Sequence, residues 1–362
     1  MTNEKEIGAG QLFGLLLVSR LSVALTFPFD RVGSFNNCEW VASIIFFPFL
    51  LLLLIPSYIL YKKTGRSPLL SAFEHSPLTG KIFSAVFCLF FLLGTAVSLS
   101  RFNIFMTSTS GADQSPLFFP LLLIIPSFYA AYKGIEAISR TACIVLAAGF
   151  ISIAIIILAV LPQMDMLNIS STRFYKKDEI IDLIEVFISN TSEAVAYSLL
   201  LPRVRGKIGG ASVLLAAACS VGMFVIFFSV NAVFGQLTAA ENFPFYALAD
   251  IAELGQLKRL SALHASAWIL GLFIKCALFL RLACDCAERI FKSRKLFPLC
   301  LAGGILTFAA GVILSGNLPV SKSLVFSRIT LIAVVLLAVV FPLIFTLLSK
   351  NTADSLQKGE SV

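Results

Sequence analysis

Charged residues are scarce in this chain. Only 13% of its 362 residues are Asp, Glu, Lys or Arg, whereas 58% are hydrophobic. A water-soluble domain carries about a quarter charged residues, so that class is excluded. Histidine occurs twice, at His75 and His264, both at the edges of apolar segments. There is no H-E-x-x-H, no G-x-S-x-G and no Walker loop, so no catalytic residue, cofactor or metal site is expected, and the chain does not read as an enzyme. Its eight cysteines (38, 88, 143, 219, 276, 284, 286 and 300) lie mostly inside apolar runs. Cys284-Asp285-Cys286 lacks the C-x-x-C spacing and second cysteine pair of a zinc or redox site. Structural cysteine is the expectation. No basic stretch followed by a small-residue cleavage site opens the sequence, so no removable signal peptide is expected. The formal charge of +8 is scattered over short loops instead of gathered on one face, which argues for membrane topology and against a nucleic-acid partner.

What the chain has in quantity is long apolar runs. It holds 34 Phe and has a mean hydropathy of +0.92. A spanning helix needs about 20 mostly apolar residues. Ten segments qualify: 10–29, 40–61, 82–107, 116–133, 140–161, 180–201, 210–236, 261–285, 296–315 and 326–348. Lys and Arg on one side of these segments outnumber those on the other two to one when the N-terminus is placed inside, which sets the expected orientation. The fold class is therefore an all-α integral membrane protein with ten transmembrane helices. Residues 1–348 form one transmembrane domain and 349–362 a short cytoplasmic tail.

Ten spans divide into two sets of five, about 10–161 and 180–348. An odd number per set inverts the second relative to the first, the inverted-repeat plan of many secondary transporters. In such folds the first helix of each set breaks and its half-helix ends face the substrate. Here those are the first and sixth segments, and both carry polar interruptions at matching depth. Ser19-Arg20-Leu21-Ser22 lies about ten residues into the first, roughly 15 Å deep. Ser189-Asn190-Thr191-Ser192-Glu193 interrupts the sixth near its middle. Uncompensated polar groups at that depth cost several kcal/mol each, so such runs lie in a protein interior or line a wet cavity. Both are expected to be breaks, and the second is the foremost binding-site candidate. The competing reading is a Ser/Thr/Asn stripe that only bonds neighbouring helices.

Ionisable residues sort by depth. Arg101 and Arg281 lie about 20 residues from one end of their segments, from where they can snorkel to an interface. Arg20, Glu193 and Lys275 fall near the midplane, where mutual pairing is the natural solution. Trp268 and Lys275, seven apart, share a helix face. An aromatic ring, an ammonium, a carboxylate and several hydroxyls converging between helices 1, 3, 6 and 8 suit a small zwitterion such as an amino acid. The alternative is a buried ion-pair network that fixes helix register. The candidate ligand-binding residues are Ser19, Arg20, Ser22, Ser189, Asn190, Thr191, Ser192, Glu193, Trp268 and Lys275. Gly303, Gly304 and Gly311 mark close helix packing. Asn242-Phe243-Pro244 reads as a helix start with Asn242 as cap, opening an amphipathic helix outside the membrane.

Gln11-Leu12-Phe13, Ser19-Arg20-Leu21, and above all Phe243-Pro244-Phe245-Tyr246-Ala247-Leu248 with Trp268-Ile269-Leu270-Gly271-Leu272-Phe273-Ile274-Lys275 give the sequence its strongest likeness. It resembles the B subunit of endospore germinant receptors, spore germination permeases grouped with the amino acid/polyamine/organocation transporters. The resemblance covers nearly the whole chain. It implies a LeuT-like ten-helix inverted repeat in the inner membrane of a spore-forming bacterium. It also implies a nutrient-sensing role beside an A-type subunit and a lipoprotein C-type subunit. An ordinary secondary amino acid transporter of the same fold is the second functional expectation.

Overall fold

A computed structural model describes residues 6–26, 38–109, 115–170, 177–254, 257–293, 295–317 and 328–348. Helices follow the apolar runs, because in a bilayer core only internal bonding satisfies the peptide groups. In chain order they are α1 (Ala9–Ala24), α2 (Glu39–Thr64), α3 (Pro68–His75), α4 (Pro77–Thr109), α5 (Phe118–Lys133), α6 (Ile135–Val160) and α7 (Leu167–Ser170). There follow α8 (Lys177–Ser189), α9 (Ser192–Leu200), α10 (Ile208–Phe234), α11 (Pro244–Ile251), α12 (Ser261–Phe291) and α13 (Leu296–Gly316). The last is α14 (Arg328–Leu348), whose middle turn, Leu336–Val340, is π-helical.

Local chemistry sets several boundaries. Gly65 stops α2 in the left-handed region (φ 66°), its N–H bonding Tyr61 O, a conformation that costs glycine nothing. Ser67 then caps α3 by accepting the Leu70 N–H, with Pro68 in the first turn. Gly134, at φ 102°, is the single residue between α5 and α6.

Among the described residues, seven helices are long and apolar enough to cross a membrane: α2, α4, α6, α10, α12, α13 and α14. α1 and α5 are apolar but shorter, and the sixth expected span is divided between α8 and α9. All ten expected segments hold helix, yet ten full-length crossings are not what these residues contain. The first expected break is also corrected. α1 runs uninterrupted from Ala9 to Ala24 through Ser19-Arg20-Leu21-Ser22. No Gly or Pro lies within Ser19–Ser22 to open the backbone there, and the one backward hydroxyl bond of that stretch, from Ser22 to Ser19 O (2.8 Å), is of a kind helices tolerate.

The helices pack in matched pairs, as two equivalent sets of five require. α1 lies on α10 while α8 lies on α2. α1 packs on α6 while α8 and α9 pack on α14. α4 meets α13 while α12 meets α5. α12 is the most enclosed: 72% of its most apolar stretch is buried in protein, against 28% for α6, α13 and α14. Those three turn residues such as Ile144, Ile151, Ile305 and Ile313 outward. Gly311 lets α13 approach α4, since a Cβ there would sit 2.8 Å from Leu99 Cβ.

Two short pairings tie the ends. Ile7–Gly8 (β1) runs parallel to Val204–Arg205 (β2), reinforced by a Glu6–Arg205 ion pair. Arg203 Nη1 donates to Asp285 Oδ2 (2.7 Å), and Arg281 Nη2 pairs with Asp285 Oδ1 (2.9 Å). Arg281 is thus a partner in an ion triad and does not simply snorkel. α11 is present as expected, but Phe243, not Asn242, occupies its cap position, with no side-chain bond. It rests on protein: Phe245 and Leu248 are buried, and Phe105 packs edge-on against Phe243 and Tyr246.

Candidate functional site

Regular helix stops at Ser189 and resumes at Ser192: the Asn190 N–H still bonds Val186 O (3.1 Å), but the Thr191 N–H turns to Ile188 O (2.9 Å) and the Ala194 N–H to Thr191 O (3.1 Å). The polar side chains here turn back on the preceding turn. Ser189 Oγ (2.8 Å) and Asn190 Nδ2 (2.9 Å) both donate to Val186 O, and Thr191 Oγ1 donates to Phe187 O (2.6 Å). Such bonds compete with the helix for its own carbonyls. Thr191 leaves helical geometry (φ −100°, ψ 52°). The freed carbonyl of Asn190 is taken by Arg20 Nη1 at 2.9 Å, while Arg20 Nη2 reaches Phe187 O (3.4 Å) and Met223 Sδ (3.3 Å). Arg20 therefore braces the interruption from α1, with Phe46 beside its guanidinium.

Glu193, in the first turn of α9, stands where a carboxylate complements the helix dipole. Its Oε1 accepts from Lys275 Nζ and from Ser19 Oγ, each at 2.7 Å. Lys275 Nζ also reaches Ser192 Oγ (3.3 Å) and lies over the Phe279 ring. Both ions are about 95% buried. The ion partner of Glu193 is thus Lys275; Arg20 is engaged by backbone. Trp268, fully buried, donates Nε1–H to Ser22 O at 2.9 Å, joining α12 to α1.

Beside this network lies a cavity of about 190 Å³. Of the ten candidate residues, Ser22, Ser189, Asn190, Ser192, Trp268 and Lys275 line it; Ser19, Arg20, Thr191 and Glu193 stand behind the wall. The rest is mostly apolar, including Phe90 and Val97 of α4, Leu272 and Phe279 of α12, and Ile329 of α14. Two contributions were missed in the sequence. α14 lines the cavity, through Ile329, Thr330 and Ala333. Arg101 of α4 also faces it and makes no hydrogen bond or ion pair among the described residues. Counting 20 residues from Lys81 misplaced Arg101, because α4 is 33 residues long and extends well past it. The usable signal was the stripe Gly94, Ser98, Arg101, one helix face by the i, i+3, i+4 rule.

A cavity beside an interrupted helix in a two-by-five bundle is the plan of LeuT-fold transporters, and the fold matches them over most of the chain. With MhsT in complex with L-phenylalanine the TM-score is 0.61 at 13% identity, covering 92% of this chain and 89% of that one. With a Na⁺-coupled sialic acid symporter, substrate-bound and outward-open, it is 0.64 at 11% identity, covering 94% and 90%. The chain is a multi-pass membrane protein of this fold. Its residues 6–318 match the spore germination protein family, and the chain belongs to that family. A comparison with curated protein sequences finds no match.

Proposed function

We propose that this chain is the nutrient-sensing membrane subunit of a spore germination receptor, in the inner membrane of a spore-forming bacterium with its N-terminus on the cytoplasmic side. It binds a small amino-acid-like ligand in the cavity between helices 1, 3, 6 and 8, here α1, α4, α8/α9 and α12, with α14 closing one wall. The observation that carries this reading is the cavity itself, whose wall includes the interrupted Ser189–Ser192 stretch. A ligand there meets the junction where α8 ends and α9 begins, so occupancy can shift a two-state helix arrangement that partner A-type and C-type subunits read.

The fold of the two solved neighbours favours a second reading, a secondary amino acid transporter alternating access around the same cavity. Reconstitution separates the two. Saturable amino acid binding by the purified chain without flux into liposomes, and co-purification with two partner subunits, is the receptor result. Concentrative uptake by the chain alone is the transporter result.

A further inference from the structure

Count the charges around the cavity. Arg20, Lys275 and Arg101 are cations; among the described residues Glu193 is the one carboxylate that interacts with Arg20 and Lys275, and Arg101 interacts electrostatically with Arg20 and Lys275, repelling both. Lys275 is neutralised by Glu193 at 2.7 Å. Arg20 is held by two carbonyls. Arg101 has no partner among the described residues, is half-buried, and faces the cavity. Among the described residues no aspartate or glutamate lines the cavity, so none of them offers an anion to a ligand's ammonium group. An excess of buried positive charge is expensive unless paired.

We infer that Arg101 is the anchor for a ligand carboxylate, and that the cavity selects a small apolar carboxylate whose amine contributes little to binding. This rests on reading the cavity as the ligand site. A guanidinium presents a planar fork matched to a carboxylate, and the apolar wall of Phe90, Val97, Leu272 and Ile329 suits a hydrocarbon remainder. An apolar cavity of about 150 Å³ admits benzene, so this one, at about 190 Å³, holds a single small molecule with a hydrocarbon part of roughly that size. The small-residue face leading to Arg101, with Gly94 and Ser98 also on the cavity wall, leaves the guanidinium accessible.

The test uses the full chain in detergent and three matched series built on alanine, leucine and phenylalanine. Each series contains the L-amino acid, its amide and its deaminated acid (propanoate, 4-methylpentanoate, 3-phenylpropanoate). Binding is read by titration calorimetry and by the shift in unfolding temperature. In at least one series the amino acid and the deaminated acid bind within a few-fold of each other, and the amide binds about 10- to 100-fold more weakly, as loss of a charge-assisted pair requires. Arg101→Gln removes carboxylate binding without lowering the unfolding temperature of the unliganded chain, because no hydrogen bond or ion pair among the described residues is lost and a buried like-charge repulsion is relieved; Arg101→Lys keeps part of the affinity. An amide as tight as its amino acid, or amino acid affinity unchanged in Arg101→Gln, overturns the anchor and leaves the ligand cavity standing. Arg101-dependent stabilisation by chloride, with no added effect of any carboxylate, also overturns it. If no compound in the three series binds, the ligand cavity falls and the anchor with it.

Discussion

Ser19–Ser22 of α1 and Ser189–Glu193 between α8 and α9 occupy equivalent places in the two halves, and only the second interrupts its helix. The difference lies in where the polar groups bond. In α1, Ser19 and Arg20 reach across to Glu193 and to the carbonyl of Asn190, which leaves their own backbone ladder intact. In the second half, Ser189, Asn190 and Thr191 all donate to carbonyls of their own preceding turn. Single backward bonds are tolerated, as at Ser22 of α1 and at Ser84, Thr95 and Ser98 of α4, whereas at Ser189, Asn190 and Thr191 three consecutive residues make them, and there the helix opens. The two stretches are also complementary, since the unbroken one supplies the cation that satisfies the carbonyl exposed by the other.

The strongest way to break this complementarity is through the ion pair. Glu193→Gln strands the Lys275 ammonium and should destabilise the chain by about 3–5 kcal/mol. Adding Lys275→Gln should recover much of that loss. A double-mutant cycle on thermal unfolding measures the coupling. The matching cycle with Arg20→Gln should show a clearly smaller coupling, because Arg20 is bonded to backbone. Equal couplings would mean that Arg20 is an ion partner after all.

Next in size is Arg20→Met. It removes the donors to Asn190 O and Phe187 O, and should cost about 1.5–3 kcal/mol, the range for hydrogen bonds to charged groups. Hydrogen exchange should speed up over 186–194 with little change in α1. Faster exchange confined to α1 would reverse the assignment of which stretch is braced.

Thr191→Val deletes one inward bond, from Oγ1 to Phe187 O. Thr191 stands behind the cavity wall, so a loss of about 0.5–1.5 kcal/mol of stability should come with near-normal ligand affinity. Asn190→Leu, on the wall itself, should weaken ligand response more than stability. The smallest effect is expected of Ser22→Ala. Its hydroxyl only back-bonds within α1, so stability should stay within about 0.5 kcal/mol of the parent. A large loss there would mean that α1 depends on inward bonding as well, and the contrast between the halves would fail.

Apolar length was sufficient to mark the long membrane-embedded helices, because a membrane leaves the backbone no other way to bond, but not the short helices α3 and α7, which lie outside the apolar runs. Apolar length was sufficient, too, to pick out Lys275, Glu193 and Trp268, since polar and amphipathic side chains at midplane depth must converge on one another. Two things at the site were not legible. Whether Ser19–Ser22 breaks its helix depends on acceptors 170 residues away in the chain, on Asn190 O and Glu193 Oε1, which composition alone does not position. Arg101 is read as an interfacial arginine from its distance to Lys81, and only the length and packing of α4 against α12 bring it to the cavity instead. The sequence by itself determined the membrane class, the places of the ten apolar segments and the midplane charges, all of which follow from solvation of single side chains and peptide groups. The tertiary structure decided which charge meets which, which helix opens and which cation is left facing the cavity, because these are relations between helices that local solvation does not fix.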